Sequence, residues 1–223
     1  MEKPRLDVIC DTIDSFMHDY LPEFVQELSA EGYPVAFLTD MKRLNKSEVA
    51  FFISCSTILS DQQLAFHKHN VIIHPSKLPE GRGSGVVSQT IIEGANDVWV
   101  TLFEANSRLD MGDMYYQDCV ILDGTELCDE IRRKQAELSF RLIRQFLADY
   151  PRLKRKPQGP KGRFFKKRYP KDSELDPDKS IREQFNLLRI CDNSRYPAYF
   201  KLNGKTYVLK IYMDKNDEKQ VEQ

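Results

Sequence analysis

Four runs of aliphatic, aromatic and β-branched residues recur in the first third of the chain, and they constrain the fold more than any other feature. They are LDVIC (6–10), PVAFLT (34–39), VAFFIS (49–54) and NVIIH (70–74). Strands buried on both faces of a parallel sheet have such near-continuous apolar sequences, whereas half-exposed antiparallel strands alternate. Helical patterns lie between the runs, which indicates βαβ units. The sequence therefore predicts an α/β fold with an open, mainly parallel, Rossmann-like sheet flanked by helices.

Proline, serine and glycine positions mark the ends of the helices. Pro22 suits the first turn of a helix over PEFVQELSAEG, which Gly32 ends, and Ser60 suits the N-cap of a short helix over DQQLAFHKH. The stretch VVSQTIIEG predicts a helix that ends at Gly94. The longest amphipathic pattern, TELCDEIRRKQAELSFRLIRQFLADY over residues 125–150, predicts a long helix with one face on the core.

Two further strands and a small C-terminal unit complete the predicted organisation. The strands are VWVTLFEA (98–105) and DMYYQDCVIL (113–122). Ser180 and Glu183 form a capping box before a helix, and Asn203-Gly204 is a hairpin turn signal between AYFKL and KTYVLKIY. The predicted organisation is a core over residues 1–150, a basic linker over 151–172, a helix and β-hairpin over 173–212, and a polar tail over 213–223.

The composition is that of a folded protein with reduced cysteines. Hydrophobic residues make up 41% of the chain and charged residues 30%, which excludes a disordered chain. MEKPRLDVIC lacks the long apolar region of a signal peptide, and no apolar stretch approaches the roughly 18 residues that span a bilayer. A cytoplasmic location is therefore expected. The five cysteines have no CxxC spacing, so neither a disulfide framework nor a metal site is expected.

The NVIIH run ends on an ionisable residue, His74, and a loop with prolines and glycines follows it over residues 75–85. In open α/β sheets, ligands bind outside the carboxyl ends of strands. Asp110 and Gly112 follow the end of another strand, so a histidine and a carboxylate could perform acid–base chemistry together at one face. A satisfied buried histidine and an ordinary Asp-x-Gly turn would have the same spacing. The spacing alone leaves both interpretations open.

Several ordered motifs resemble the core of the formyltransferases that use 10-formyltetrahydrofolate. They are HPSKLPEGRG, IIEG, VTLFEA and DMGDMYYQ, within roughly residues 50–120. The family pattern is Asn-x-His-Pro-Ser-x-Leu-Pro, then Arg-Gly, a helix that ends in Gly, Val-Thr and Asp-x-Gly. Its matching positions here are His74, Pro75, Ser76, Leu78, Pro79, Arg82, Gly83, Gly94, Val100, Thr101, Asp110 and Gly112. The resemblance implies the same α/β fold, a formyltransferase activity and 10-formyltetrahydrofolate as the cofactor.

The resemblance also implies roles for individual residues. His74 would donate a hydrogen bond to the oxygen that becomes negative when an amine attacks the formyl carbon. Asp110 would orient His74 or accept the proton of the amine. The strand and loop FFISCSTILS would receive the pterin. The implied cofactor neighbours are Cys55, Ser56, Thr57, Ile58, Leu59, Arg82 and Gly83.

The chain departs from the family pattern at two positions. Ile72 stands where the family has asparagine, and Val86 follows Gly85 where the family has a proline nearby. Asn70 is about 13 Å from His74 in an extended strand, at roughly 3.3 Å per residue. Either a bulge moves Asn70, another residue supplies the second donor, or catalysis is weaker, by about 100-fold to 1,000-fold for one lost donor.

The C-terminal segment 169–211 resembles that of bacterial sugar N-formyltransferases, which act on nucleotide-linked amino sugars. No glycine-rich phosphate loop follows the first strand, where the sequence is CDTIDSFMHDYL, so a simple ribonucleotide acceptor is not expected. The resemblance implies transfer to a nucleotide-linked deoxyamino sugar for a bacterial surface polysaccharide such as lipopolysaccharide. The implied acceptor-side residues are Asp11, Asp14, Ser15, Ser76, Lys77, Arg189, Asn193 and Tyr196.

A basic segment, PRLKRKPQGPKGRFFKKRYPK (151–171), carries ten Lys or Arg and no acid, although the net charge of the chain is −1. Its charges and aromatic residues could bind nucleic acid. A solvated linker that attracts a pyrophosphate is favoured, because the rest of the chain is acidic. Two alternatives stay open: a non-catalytic scaffold disabled by Ile72, and transfer to aminoacyl-tRNA. The expected partners are the folate and the nucleotide sugar, with no membrane, and the exposed hairpin edges could pair in a homodimer.

Overall fold

The computed structural model of the protein describes residues 2–106, 109–160 and 162–214. Most of the predicted polar tail, residues 215–223, lies outside the described residues. The strands of the described parts are β1 (Leu6–Ile9), β2 (Val35–Leu38), β3 (Ser47–Ile53), β4 (His67–His74), β5 (Gly81–Gly83), β6 (Asp97–Glu104), β7 (Met114–Ile121), β8 (Arg163–Phe165), β9 (Ala198–Leu202) and β10 (Lys205–Leu209). The α-helices are α1 (Leu21–Ala30), α2 (Asp61–Leu64), α3 (Val86–Ile92), α4 (Cys128–Asp149) and α5 (Ile181–Arg189).

Six of these strands form the central sheet, in the order β2-β1-β3-β4-β6-β7. Strands β1 to β4 are parallel, while β6 and β7 are added antiparallel. Leu6 and Val8 pack with side chains of α1 and α4 on one face, whereas Ile9 packs in a second cluster on the other face. Burial on both faces explains the near-continuous apolar runs. The predicted α/β fold with a mainly parallel sheet flanked by helices is confirmed.

The helix predicted over DQQLAFHKH is wrong beyond its first turn. Ser60 caps it as expected and forms a capping box with Gln63, but α2 ends at Leu64. Strand β4 begins at His67, earlier than the predicted Asn70, and pairs with β3 from Ser47 onward. His67 is buried beneath this pairing. The tertiary contacts of one histidine side chain thus override a local helical pattern.

Asp7 and His67 form a buried polar pair at the base of β1 and β4. The Nε2 atom of His67 lies 3.3 Å from Asp7 Oδ2, and its Nδ1 atom lies 2.9 Å from Asn70 Oδ1. The Asn70 amide nitrogen donates to the Leu64 carbonyl at 2.8 Å. Both ring nitrogens of His67 therefore lie within hydrogen-bond distance of an oxygen of this cluster. Asn70 is committed to this cluster and does not replace the donor that is missing at Ile72.

Replacement of His67 by leucine is expected to lower the free energy of unfolding by about 3–5 kcal/mol, because the Asp7 carboxylate would stay buried without its partner. The measurement is equilibrium unfolding in urea. The double variant Asp7→Asn/His67→Leu is the control, and it should recover part of the loss because no charge remains unpaired. A loss below about 1 kcal/mol in the single variant would contradict the pairing.

Strand β6 runs opposite to β4, which changes how Asp110 is reached. Its carboxyl end, Glu104, aligns with Val71, while His74 aligns with Thr101. The two strands therefore have their carboxyl ends at opposite edges of the sheet. The connection from β6 to β7 instead returns along the sheet, and its Asp110 accepts a hydrogen bond from Gly83.

The C-terminal elements follow the local signals in the sequence. Ser180 and Glu183 form the capping box of α5. Strands β9 and β10 pair antiparallel, and Asn203 and Gly204 have φ angles of 50° and 76°, as a type I′ turn requires. Leu188 of α5 packs with Ile91 of α3 in a separate apolar cluster. These predictions are confirmed. Within the described ranges, no helix is long and apolar enough to cross a membrane.

The basic segment is attached to the core, in contrast to the predicted solvated linker. Strand β8 pairs in parallel with β5, in the loop that follows His74. Lys156 exchanges two backbone hydrogen bonds with Met114 of β7, at 2.8 and 2.9 Å. Most of the basic side chains nevertheless remain exposed. The predicted solvent exposure therefore applies to these side chains. The backbone of the segment is bonded to the core, which its composition did not indicate.

Candidate active site

His74 lies buried at the carboxyl end of β4. Its Nε2 atom donates to the Gly81 carbonyl at 3.1 Å, and its ring packs edge-on against Phe103. Because a carbonyl oxygen can only accept, Nε2 carries the hydrogen, and Nδ1 of the neutral ring carries a lone pair. The hydroxyl of Ser76 also donates to the Gly81 carbonyl. The loop after β4 thus folds back and fixes the orientation of the imidazole.

Asp110 is the carboxylate that the structure brings to His74. It is buried, and its Oδ2 atom accepts a hydrogen bond from the Gly83 amide at 2.9 Å. Its φ angle of 52° lies in the left-handed region, which aspartate occupies more readily than most residues. At Gly112, a Cβ atom would overlap with the Glu104 carbonyl oxygen. Glycine is therefore required at the third position of the Asp-x-Gly motif for the loop to return along β6.

Burial lowers the pKa of His74 below its ordinary value of 6.5, and the charge of Asp110 opposes part of this effect. The imidazole is therefore neutral at pH 7. In the unfolded chain His74 takes up a proton near pH 6.5, whereas in the folded chain it does so only at lower pH. The free energy of unfolding therefore decreases as the pH falls through 6.5.

Replacement of Asp110 by asparagine is expected to lower the pKa of His74 further, because the substitution removes the negative charge that favours the imidazolium. An NMR titration of the histidine ring resonances measures this directly. His18, whose Nε2 atom lies 3.0 Å from the Thr12 carbonyl, provides an internal reference in the same spectra. An unchanged or higher pKa of His74 in the variant would show that the two side chains do not interact electrostatically.

The predicted cofactor loop, residues 55–59, is held at its base by Asp11. The two carboxylate oxygens of Asp11 accept hydrogen bonds from the amides of Ser56 and Thr57, at 2.7 and 3.2 Å. Cys55 is half-buried, and burial raises the pKa of its thiol to about 12. Ile58 is 67% exposed, whereas Leu59 is buried. Asp11, predicted on the acceptor side, is thus committed to shaping the loop at the end of β3.

Arg82 and Gly83, the remaining predicted cofactor neighbours, lie in β5. Arg82 is buried, and its Nη2 atom donates to Gln158 Oε1 at 3.4 Å. Its Nε atom has no hydrogen-bond partner among the residues that the structure describes. The site therefore contains a buried cation with a donor still to be satisfied, and a ligand carbonyl or carboxylate would satisfy it. The neighbouring Gly83 binds Asp110 through its amide.

Ser76 and Lys77 lie beside His74 and line a cavity of about 300 Å³, together with Trp99 and Phe165. The Lys77 ammonium lies 5.1 Å from the Trp99 ring centroid and 3.2 Å from a Glu80 carboxylate oxygen. This volume is at the lower end of the range for small-molecule sites, about 300–1,000 Å³. These two residues therefore line a cavity that neither His74 nor Asp110 lines.

The other predicted acceptor-side residues have structural contacts elsewhere. Ser15 caps a short 3₁₀ helix, and the backbone carbonyl of Asp14 accepts a hydrogen bond from Arg195. Arg189 is fully buried and donates to Asn96 and Asn186. Asn193 bonds to the Ile211 backbone through both amide atoms, and Tyr196 closes a turn with Asp192. The structure does not bring Arg189, Asn193 or Tyr196 to His74.

Gln158 is a residue of the site that the sequence interpretation missed. It belongs to the basic segment, and its amide nitrogen donates to the Gly112 carbonyl at 2.7 Å. Charge patterning had directed attention to its lysine and arginine neighbours. In the described parts of the chain, no cluster of three or more His, Cys, Asp or Glu side chains could hold a metal ion.

The structure thus combines an α/β fold with a buried histidine at a strand end and a buried carboxylate whose charge acts on it. Residues 29–147, more than half of the chain, match the family model described as formyl transferase, and the chain belongs to this family. A methionyl-tRNA formyltransferase from Coprothermobacter proteolyticus is 26% identical over 127 residues. The match covers 57% of this chain and 38% of that relative, so the chain spans well under half of the relative's length.

Three solved structures share the fold. Methionyl-tRNA formyltransferase from Clostridium thermocellum has a TM-score of 0.78 at 19% identity, covering 95% of this chain and 94% of that one. A 4-N formyltransferase from Francisella tularensis has a TM-score of 0.71 at 18% identity, with coverages of 96% and 100%. HypX from Aquifex aeolicus in complex with tetrahydrofolic acid has a TM-score of 0.72 at 18% identity, with coverages of 93% and 37%. At these identities, the likeness establishes the fold.

Proposed function

We propose that this protein transfers a formyl group from 10-formyltetrahydrofolate to the amine of a nucleotide-linked deoxyamino sugar. One observation carries the proposal of catalysis. His74 and Asp110 are both buried, and both bond to backbone atoms of the same short strand, at the Gly81 carbonyl and the Gly83 amide. Family membership and a fold shared with a tetrahydrofolate complex support the cofactor.

The folate would be held by the loop at residues 55–59 and by Arg82, whose unpartnered Nε atom suits a ligand oxygen. When bound, the cofactor supplies a formyl group. The neutral His74 donates its Nε2 hydrogen to the Gly81 carbonyl, so this hydrogen does not serve the donor role that the resemblance implies, and the lone pair on Nδ1 would instead take the proton of the incoming amine. The Asp110 carboxylate then stabilises the positive ring. Burial of both side chains keeps bulk water from competing for this proton.

The cavity beside Ser76 and Lys77 supports a small acceptor. Its volume of about 300 Å³ suits a sugar ring, and the ammonium of Lys77 offers a contact for a phosphate. The fold shared with a 4-N formyltransferase is consistent with an amino-sugar acceptor. Surface polysaccharide synthesis would be the use of such a product.

A mass-spectrometric transfer assay tests the proposal. The protein is given 10-formyltetrahydrofolate with dTDP-, UDP- or GDP-linked amino sugars, and methionyl-tRNA in a separate reaction. The expected result is formylation of one nucleotide sugar, with His74→Ala as the blank. No transfer to any acceptor, with intact folate binding, would favour the non-catalytic scaffold.

Transfer to an aminoacyl-tRNA is the second candidate, because curated relatives are methionyl-tRNA formyltransferases and the basic segment exposes its side chains near the site. Binding of RNA through these side chains would weaken steeply as salt increases, since phosphate contacts release counterions. Formylation of the tRNA alone, with that salt dependence, would replace the sugar as the acceptor.

A further inference from the structure

Part of the basic segment forms a strap across the catalytic loops. We use this name for residues 156–160 and 162–165. One end is fixed by the paired backbone hydrogen bonds between Lys156 and Met114 of β7. The other end is β8, which pairs with β5, and the Gly162 amide donates to the Pro79 carbonyl at 3.1 Å. The strap therefore bridges the strand after the Asp110 loop and the loop after His74.

The strap and β5 are in direct backbone contact. A Cβ atom at Gly83 would overlap with the Phe165 carbonyl oxygen, and one at Gly162 would overlap with the Pro79 carbonyl oxygen. No side chain fits between the two segments at these points. The position of β5 is consequently tied to the position of β8.

Strand β5 is also the strand that holds the catalytic pair. The carbonyl of Gly81 accepts from His74, and the amide of Gly83 donates to Asp110. These bonds use opposite ends of a strand of three residues. A shift of β5 would therefore move both catalytic side chains, and a displacement of about 1 Å can lower a rate by about 100-fold.

Gln158 of the strap makes a second connection to the same pair. Its amide nitrogen donates to the Gly112 carbonyl, two residues after Asp110, and its amide oxygen accepts from the buried Arg82 of β5. One side chain thus links the Asp110 loop to the strand that binds His74. We propose that the strap sets the relative position of His74 and Asp110, with Gln158 as a positioning residue. The inference rests on the proposed formyl transfer.

Two variants of Gln158 test the inference. Gln158→Leu removes both hydrogen bonds at similar volume, and Gln158→Glu retains an acceptor for Arg82 while it removes the donor to Gly112. Both are expected to lower kcat by about 10- to 100-fold. Gln158→Glu, which keeps the acceptor for Arg82, should leave the KM for 10-formyltetrahydrofolate within about threefold of wild type, whereas Gln158→Leu should also raise it because Arg82 loses that partner. Gln26→Leu, at an exposed glutamine of α1, is the matched control and should keep the wild-type kcat.

Hydrogen exchange at the Gly83 amide supplies a readout that does not need activity. This amide is bonded to Asp110, so both Gln158 variants should exchange it at least about tenfold faster than wild type and the control. Wild-type kcat and wild-type exchange at Gly83 in both variants would overturn the inference. If the wild-type protein formylates no acceptor, the proposed function fails, while the exchange rates still decide whether the strap positions Asp110.

Discussion

Replacement of His74 by alanine is expected to lower kcat for formyl transfer by about 100- to 10,000-fold, the range for loss of a general acid or base. The reason is geometric, because the Gly81 carbonyl holds the ring in one orientation beside Asp110. Binding of the folate should be preserved, since the proposed cofactor loop lies at the end of β3. Single-turnover transfer followed by mass spectrometry measures the rate, and calorimetry measures the binding.

His69→Ala is the matched control for His74→Ala, because it removes another histidine of β4. The His69 ring lies 2.9 Å from the Tyr115 hydroxyl, and its contacts lie away from the strand end. This variant should lose stability but keep its rate per folded molecule within about threefold. Transfer by His74→Ala at more than about a tenth of the wild-type rate would remove His74 from the proposed mechanism.

Replacement of Gly112 by alanine is expected to lower transfer by about 100-fold and also to lower the melting temperature. The added Cβ atom would overlap with the Glu104 carbonyl oxygen, which is backbone and cannot rotate away. Either β6 or the loop must move, and Asp110, two residues earlier, moves with the loop. Transfer rates and thermal unfolding by circular dichroism measure the two effects.

Gly159→Ala is the matched control for Gly112→Ala. A Cβ atom there would meet only the Pro79 side chain, at an ordinary contact distance of 3.7 Å. Wild-type transfer by Gly112→Ala would mean that the loop accommodates the methyl group without moving Asp110, and the proposed role of that carboxylate would then lose its support.

Local physics made much of the fold predictable. The apolar runs at β1 and β3 are buried on both faces of the sheet, and those at β2 and β4 are partly buried. The turn at Asn203-Gly204 needs only its own backbone preferences. The helix α2 was predicted too long, because His67 contacts Asp7, which lies 60 residues away in the chain, from a strand and not from a helix. The antiparallel direction of β6 was not predicted, because a strand sequence does not state which way the strand runs in the sheet.

The candidate site was predictable only where a motif carried it. His74 and Asp110 were found because their neighbours form ordered, spaced motifs. Arg189 was predicted to contact the acceptor, but the structure buries it fully. The sequence did not reveal this, because a charged residue near the end of an amphipathic helix is usually exposed. Gln158 was missed because its contacts are to backbone carbonyls and side chains that lie far away in sequence.

Because β5 pairs with β8 through backbone atoms, different atoms hold the catalytic side chains and present charge to an acceptor. Backbone atoms of Gly81 and Gly83 hold the catalytic side chains, and the facing strap contributes mainly backbone to that support. The exposed side chains of Lys156 and Arg163 in the strap do not take part in these bonds. Mutation can therefore change the charge presented to an acceptor without disturbing the chemistry, so a protein built this way can evolve new acceptors at low cost to its catalytic rate.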